Sequence, residues 1–173
     1  TAPHGAREGA APGSPRPARH ILGPMNEIVA SPQRLVAQAR EVLRIEAEAV
    51  ARLAERVGEP FARACALILA CPGRVVVSGM GKSGHVARKT AATLASTGTP
   101  AFFVHPAEAS HGDLGMVTRD DVFIAMSNSG ATEELLTIVP IVKRQGAKLV
   151  AITGNPDSAL ARLADVHLDA GVE

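Results

Sequence analysis

A glycine-rich turn follows a short apolar run in residues 75–85, VVVSGMGKSGH, and turns of this kind bind anions. Three ligands fit the pattern. Gly79, Gly81 and Gly84 match the G-x-G-x-x-G pattern of dinucleotide-binding folds, while the letters Gly-Lys-Ser resemble the end of an ATP-binding P-loop. A strand that runs into a glycine turn also suits a sugar phosphate.

Neighbouring residues separate these three possibilities. A P-loop needs a glycine five positions before the Gly-Lys pair, and this chain has Val76 there, so the P-loop interpretation fails. A dinucleotide site needs an acidic residue near the end of the next strand, but that strand ends in VHP, residues 104–106, and Glu108 comes late. Lys82 favours a smaller anion, because a cation that opens a helix is unfavourable unless a bound anion compensates. The alternative is a solvated lysine on a purely structural turn.

A second polar cluster, SNSGATEE at residues 127–134, again stands where a predicted strand meets a predicted helix. Ser127, Ser129 and Thr132 offer hydroxyls and the helix start offers free N–H groups, which together make a cradle for a phosphate. The alternative is an ordinary cluster of N-capping residues whose two glutamates stabilise the helix dipole. Two such turns at the ends of neighbouring strands favour a binding pocket.

Histidines mark a third segment, HPAEASHGDLGM at residues 105–116, which has neither helical nor strand periodicity. His105, His111 and Asp113 lie close together in it. Two histidines on a loop are more often polar surface than ligands. Beside a phosphate cradle they become candidate proton carriers.

The elements that must position these motifs are short apolar runs alternating with helical segments, a pattern typical of a parallel sheet covered on both faces. The predicted strands are residues 74–79, 101–105, 121–127, 148–154 and 166–170. The predicted helices between them span about 83–97, 131–145 and 157–163. This order predicts an open, doubly wound, five-stranded parallel α/β sheet, whose ligands bind beyond the carboxyl ends of the strands.

The part of the chain before the sheet has a different composition. Residues 1–24 are rich in Pro, Gly, Ala and Arg, so we expect them to be disordered and the folded domain to span residues 25–173, starting near Met25. Ser31 followed by proline predicts the start of one long amphipathic helix that ends near Val57. A second helix, FARACALILA, is apolar enough to be largely buried.

Composition excludes several classes of function. The 173 residues are 46% hydrophobic, enough for one core, and their net charge of +1 gives no footprint for nucleic acid or an anionic membrane. Cys65 and Cys71 form no C-x-x-C pair, so we expect buried, inert thiols rather than a metal ribbon or a disulfide. No apolar run reaches the ~18 residues of a membrane span, and we expect a cytoplasmic protein.

Read together, the segments GMGKSGHVARKTAATLASTGTPAFFVHPAEASHGDLGM, MSNSGATEE and ITGNPDSALARLADVHL resemble the sugar isomerase (SIS) domain, and more narrowly the arabinose-5-phosphate isomerases. The resemblance runs from about Gln33 to the end of the chain. It implies a flavodoxin-like sheet and the interconversion of D-ribulose 5-phosphate and D-arabinose 5-phosphate, which supplies the Kdo sugar of lipopolysaccharide. It also implies a homo-oligomer, either a dimer or a tetramer.

The resemblance assigns roles to individual residues. The family's catalytic lysine, histidine and glutamate fall on Lys82, His111 and Glu134, and the family's reported zinc ligand falls on His105. The predicted substrate-binding residues are Gly81, Ser83, Gly98, Thr99, His105, Ser127, Asn128, Ser129 and Thr132. Such a set suits the chemistry, because moving a proton between C1 and C2 through an enediol needs a base, a proton shuttle and charge to stabilise an oxyanion. No redox cofactor or metal is required.

The sequence also departs from the family pattern. The family continues past HLDAGVE into a segment with another catalytic glutamate and a histidine that reaches a neighbouring subunit, and many members add a tandem CBS pair. The chain is therefore expected to be either a fragment of an isomerase, with little activity of its own, or a non-catalytic SIS module that binds or senses phosphosugars. A third possibility is a doubly wound domain whose glycine turns are only structural.

Overall fold

The computed structural model describes residues 31–172, and the chain divides into two compact units, residues 1–44 and 45–173. The predicted tail at residues 1–24 and the predicted start near Met25 lie outside the described residues. Of the first unit only the beginning of the first helix is described, whereas the second unit holds the sheet and the other helices.

Six α-helices and five strands make up the described part of the chain. The helices are α1 (Pro32–Ala54), α2 (Glu59–Leu69), α3 (Gly81–Ser96), α4 (Pro106–Ser110), α5 (Glu133–Gln145) and α6 (Ala159–Leu163). The strands are β1 (Val75–Gly79), β2 (Ala101–Val104), β3 (Val122–Ser127), β4 (Lys148–Thr153) and β5 (Val166–Asp169). A 3-10 turn, Asp113–Met116, follows α4.

All five strands run parallel in the order β2-β1-β3-β4-β5, which confirms the predicted doubly wound sheet after a long N-terminal helix. The winding reverses beside β1, because the chain passes first to β2 on one side and then to β3 on the other. Ligands of such sheets bind in the crevice at the carboxyl ends of the strands that flank the reversal. Here that crevice lies between the turns that follow β1 and β3, where Gly79 is paired with Met126.

Apolar side chains cover both faces of the sheet, as a parallel sheet requires. One cluster joins Phe123 and Leu149 of the sheet to Leu135 of α5. The cluster on the other face joins Val77 of β1 to Ala87 of α3. Each fully buried large side chain contributes roughly 1.5–3 kcal/mol of transfer free energy, so the two clusters hold the strand ends in place.

The prediction that the second helix is largely buried is wrong. Ala64 is the buried residue of α2, whereas Phe61 is 47% exposed and Leu69 is 86% exposed. The reason is position, since α2 packs against the edge strand β5 and can cover the sheet with one side only. Cys65 and Cys71 are likewise half-buried rather than buried, and both are free thiols.

The segment at residues 105–116, predicted to lack regular structure, forms α4 and the 3-10 turn. Pro106 is the first residue of α4, where a proline loses no hydrogen bond. A five-residue helix is too short to produce a helical repeat in the sequence, which explains the missed prediction. No helix among the described residues is long and apolar enough to cross a lipid bilayer.

A buried acid organises the amino end of the sheet. Asp121 accepts hydrogen bonds from the backbone N–H of Arg74 (2.7 Å) and from both the N–H and the hydroxyl of Thr118 (2.7 and 3.0 Å). Paired backbone and side-chain donors compensate the cost of burying this carboxylate. The network lies at the edge opposite the crevice described above.

Candidate functional site

The turn between β1 and α3 depends on close backbone packing. A Cβ placed on Gly84 would lie 2.7 Å from the carbonyl oxygen of Gly79, so only glycine lets α3 start this near the end of β1. Gly81 has φ = +52°, a conformation that other residues adopt with strain. The turn places Lys82 and Ser83 in the first turn of α3.

The turn between β3 and α5 is held by its own hydroxyls. The Ser127 Oγ accepts a hydrogen bond from the Gly130 N–H at 3.0 Å and lies 2.7 Å from the Thr132 Oγ1, and Ser129 Oγ accepts from the Ala131 N–H at 3.2 Å. We call residues 127–132 the cradle. The hydroxyls of the cradle therefore make hydrogen bonds that hold the turn itself. They are less available to a ligand than the sequence suggested.

The two turns meet at one cavity of about 270 Å³ at the carboxyl edge of the sheet. Four of the predicted substrate-binding or catalytic residues lie on its wall: Lys82, Ser83, Ser127 and Asn128. Motifs that are 45 residues apart in sequence therefore converge because β1 and β3 are adjacent in the sheet. This convergence is the relationship that the strand-end rule predicts.

Other residues of the cavity wall were not predicted. Thr153 and Gly154 come from the end of β4, and Ala170 follows β5. The letters ITGN did mark a strand end, so the same rule could have added Thr153 and Gly154. Ala170 carries no chemical signal, and only the register of β4 with β5 brings it to the cavity.

Hollows elsewhere on the surface are larger but lack these features. One of about 500 Å³ runs along α3 beside His85, Val86 and Lys89. It touches no strand end and no helix start, so it lacks the convergent backbone donors expected of a phosphosugar site. The smaller cavity is the candidate because it combines those donors with Lys82.

Two helices begin at this edge without a side-chain cap. The N-cap residues of α3 and α5, Met80 and Thr132, make no side-chain cap hydrogen bond. In contrast, the Ser158 Oγ caps α6 by accepting the Ala161 N–H at 3.3 Å. Open helix N-termini carry partial positive charge and free donors, so α3 and α5 are prepared for an anion whereas α6 is not.

The charged residues at the starts of α3 and α5 also differ. Helix α5 follows the usual pattern, with Glu133 and Glu134 in its first turn and Lys143 and Arg144 in its last. Helix α3 has no acidic residue in its first turn and carries Lys82 there instead. A cation at that position adds to the positive field of the helix start, and a bound anion would relieve the repulsion.

Several predicted residues lie away from the cavity wall. Glu134 is exposed in the first turn of α5, and His111 is exposed at the C-cap of α4. His105, the N-cap of α4, is half-buried and meets Phe103 edge-on with ring centroids 6.4 Å apart. The turn residues Gly81, Ser129 and Thr132 belong to the two turns but not to the wall.

Gly98 and Thr99 lie at the wrong end of the sheet for this cavity. They follow α3 and precede β2, so they stand at the amino edge, whereas the cavity opens at the carboxyl edge. Within one chain the structure does not bring them to Lys82. Their contact with substrate stays a prediction.

The described residues offer no complete metal site, since residues 31–172 contain no group of three or more His, Cys, Asp or Glu side chains that could hold an ion. Among these residues, His105 belongs to no such group. The zinc assignment stays a prediction.

Comparisons with known proteins agree with this geometry. An arabinose 5-phosphate isomerase KdsD from Pseudomonas aeruginosa is 60% identical over 134 residues, which are 78% of this chain and 41% of that protein. KdsD from Escherichia coli K12 is 57% identical over 129 residues, 75% of this chain and 39% of that protein. The chain thus spans about two fifths of the length of these curated relatives.

A solved structure gives the same result for the fold. The c3406 protein of E. coli CFT073, in complex with arabinose 5-phosphate, superposes with a TM-score of 0.75 and 42% identity, covering 83% of this chain and 77% of that one. The SIS domain family matches residues 68–173, which include both turns and every residue of the cavity wall. The chain therefore belongs to the SIS domain family.

Proposed function

We propose that this chain is the isomerase domain of an arabinose 5-phosphate isomerase, which interconverts D-ribulose 5-phosphate and D-arabinose 5-phosphate and so supplies Kdo for lipopolysaccharide. The KdsD relatives are named for this activity, and the c3406 protein binds arabinose 5-phosphate. The shared segment is the one that carries the cavity. We therefore assign the binding of the sugar phosphate to residues 75–170.

The observation that carries the proposal is that the open start of α3, with Lys82, meets the turn after β3 at one small cavity. A phosphate dianion placed there accepts hydrogen bonds from N–H groups at the start of α3, where Lys82 adds positive charge. Ser127 and Asn128 add polar groups on the wall. The cavity volume of about 270 Å³ suits a ligand of pentose phosphate size.

The proposed chemistry moves one proton between C1 and C2 through a cis-enediol. Lys82 stabilises the oxyanion that develops when the C2 proton of arabinose 5-phosphate is removed. Glu134 and His111 carry the protons to and from carbon and oxygen. Both side chains are exposed. Glu134 lies in the first turn of α5, after the cradle, and His111 lies at the end of α4, which follows β2. A bound substrate therefore has to place its reacting carbons in contact with both.

We also propose that the active protein is a homo-oligomer. In the first unit Leu35 and Leu43 are exposed on α1, and in the second unit Val50, Val57 and Phe61 are exposed, although each is an apolar side chain that water solvates poorly. Association would cover them. It would also supply Gly98 and Thr99 from a second copy, since each copy holds these residues at the opposite edge of its own sheet.

A cytoplasmic location fits the two free thiols, which a reducing compartment preserves. The rival function is a SIS module that binds phosphosugars without converting them. Such a module needs the cradle but no proton carriers. The joint presence of Lys82, His111 and Glu134 favours the isomerase.

The proposal is tested by ligand binding first and turnover second. In thermal denaturation, arabinose 5-phosphate should raise the melting temperature of the chain, while D-arabinose, NAD and ATP should not, because only the sugar phosphate combines a phosphate dianion with a fitting size. Equal shifts from arabinose 5-phosphate and arabinose would contradict the site. The product of the full reading frame should then convert ribulose 5-phosphate to arabinose 5-phosphate, and binding without conversion would favour the rival module.

A further inference from the structure

Thr153 occupies a central position behind the cradle. It is the last residue of β4, is 1% exposed, and is paired in register with Ser127 of β3 and with Asp169 of β5. It also lies on the cavity wall. A change in the orientation of Thr153 would therefore also displace Ser127, the first residue of the cradle.

The hydrogen bonds of the Thr153 hydroxyl can be assigned completely. Its single proton is donated to the carbonyl oxygen of Asn155 at 2.8 Å, because a carbonyl can only accept. The oxygen accepts the Asn155 N–H at 3.2 Å. The His167 Nε2 lies 2.9 Å from the same oxygen, and with the hydroxyl proton already used, this nitrogen has to be the donor.

The geometry thus assigns the proton of His167 to Nε2. In the neutral ring Nδ1 is then the unprotonated nitrogen, and in the imidazolium both nitrogens carry protons, so the bond to Thr153 exists in either state. A hydroxyl with one bond donated and two accepted has no capacity left for a ligand. Thr153 therefore acts on the site through its neighbours and not by contact with the sugar.

Those neighbours support the cradle directly. The methyl group of Thr153 lies 3.3 Å from the position that a Cβ on Gly130 would take. The Gly154 N–H donates to the carbonyl oxygen of Asn128 at 2.9 Å, and a Cβ on Gly154 would lie only 2.6 Å from the Asn128 Oδ1. The turn after β4 is thus the surface on which the cradle rests.

We propose that His167 is a positioning residue for phosphate binding: from β5 its Nε2–H fixes the Thr153 hydroxyl, which holds the turn at residues 153–155 against the cradle. This inference rests on the proposed function, because it concerns the same cavity. It adds a residue that does not line the cavity and for which the sequence predicted no role. A preorganised support of this kind matters because small displacements of binding groups weaken a site.

The test compares three substitutions that change this bond in different ways. His167→Leu removes the donor, and His167→Gln keeps an N–H donor on a flexible side chain. Thr153→Val removes the acceptor at nearly constant shape, together with both hydrogen bonds between the hydroxyl and Asn155. Titration calorimetry on the 173-residue chain, well below its melting temperature, should show the affinity for arabinose 5-phosphate reduced about fivefold by His167→Leu and at least as much by Thr153→Val. His167→Gln should recover most of the loss, and the His167→Leu, Thr153→Val double variant should lose no more than Thr153→Val alone.

Thr118→Val is the matched control. It removes a threonine hydroxyl that bonds to a side chain, the Asp121 carboxylate at 3.0 Å, but at the amino edge of the sheet. It should lower the melting temperature and leave the affinity for arabinose 5-phosphate unchanged. Nitrogen-15 spectra of the histidine rings give an independent measurement, and the neutral His167 ring should show a protonated Nε2.

The outcomes distinguish failure of the proposed function from failure of the proposed role of His167. Wild-type protein that binds neither arabinose 5-phosphate nor inorganic phosphate contradicts the proposed function. Wild-type binding together with unchanged affinity in His167→Leu contradicts the role of His167, even if that variant melts earlier. A neutral ring protonated on Nδ1, or a His167→Gln variant as weak as His167→Leu, contradicts it too.

Discussion

A Cβ on Gly84 would lie 2.7 Å from the carbonyl oxygen of Gly79, at the point where β1 gives way to α3. The obstacle is backbone, which cannot rotate away as a side chain can. Gly84→Ala should therefore push the start of α3 from the strand and destabilise the chain by roughly 1–3 kcal/mol. Chemical denaturation monitored by circular dichroism measures the loss.

Gly115→Ala is the control for this substitution. A Cβ on Gly115 would meet no atom within 4 Å, and the φ of Gly115 lies outside the left-handed region. The free energy of unfolding of Gly115→Ala should therefore differ from that of the wild type by a few tenths of a kcal/mol at most. Equal losses in the two variants would show that the close approach at Gly84 does not limit this turn. Because Lys82 and Ser83 lie on the displaced turn, Gly84→Ala should also weaken the binding of arabinose 5-phosphate.

Lys82 should have opposite effects on stability and on binding. Lys82→Gln removes a cation from a helix start, which should leave the ligand-free chain unchanged or stabilise it by a few tenths of a kcal/mol. The same change should weaken the binding of arabinose 5-phosphate at least tenfold, because it removes a charge partner of the phosphate. Melting curves with and without the sugar phosphate measure both effects in one experiment.

Lys148→Gln provides the matching charge change at the opposite edge, since Lys148 opens β4 and is exposed. It should leave the affinity for arabinose 5-phosphate unchanged at about 0.15 M salt, where charges more than about 8 Å from a ligand are largely screened. Reduced affinity in Lys148→Gln equal to that of Lys82→Gln would mean that net charge and not the local site attracts the ligand.

Arg56 should stabilise the segment that follows β5. Its Nη1 donates to the carbonyl oxygen of Gly171 at 2.6 Å and lies 3.5 Å from the Asp169 Oδ1. Both side chains are about one third exposed, so solvent screens part of the interaction, and Arg56→Ala should cost about 1 kcal/mol of unfolding free energy. Hydrogen exchange should show faster opening of the Gly171 region, while Arg52→Ala, in the last turn of α1, should leave that exchange unchanged.

Much of the fold could be predicted because its signals are local. The continuous apolar runs of β1 and β3 are long enough to place each strand within one or two residues. The burial of α2 was not predictable, since it depends on α2 packing against an edge strand and not on its own composition. Helix α4 was missed because a single turn has no periodicity.

From the sequence, only those residues of the candidate site that lie in a recognisable motif could be predicted. Glycine and serine at strand ends indicated Lys82 and Ser127, which the structure places as neighbours on one cavity wall. His167 was not identifiable, because its contribution lies in one hydrogen bond to Thr153 across two strands. The separation of Thr99 from the cavity was predictable, since a residue between the predicted helix 83–97 and the strand that follows lies at the amino edge of the sheet.

Glu134 provides the sharpest test of catalysis, because the structure gives it an alternative role. It lies exposed in the first turn of α5, where a carboxylate stabilises the helix dipole by about 0.3–1 kcal/mol. If Glu134 carries a proton, Glu134→Gln in the product of the full reading frame should bind arabinose 5-phosphate nearly normally but turn over roughly a hundredfold or more slowly. If it only stabilises the helix, the melting temperature should fall slightly and turnover should hardly change.

Glu133→Gln is the matched control, since Glu133 is exposed in the same turn and loses the same charge. The dipole contribution should be nearly equal in the two variants, so any difference in turnover reports on proton transfer and not on helix stability. Steady-state kinetics should show a fall in kcat confined to Glu134→Gln, with KM little changed. Equal falls in kcat for both variants would contradict the assignment of Glu134 as a proton carrier, because two neighbouring residues of one helical turn point in different directions and cannot both reach the same carbon.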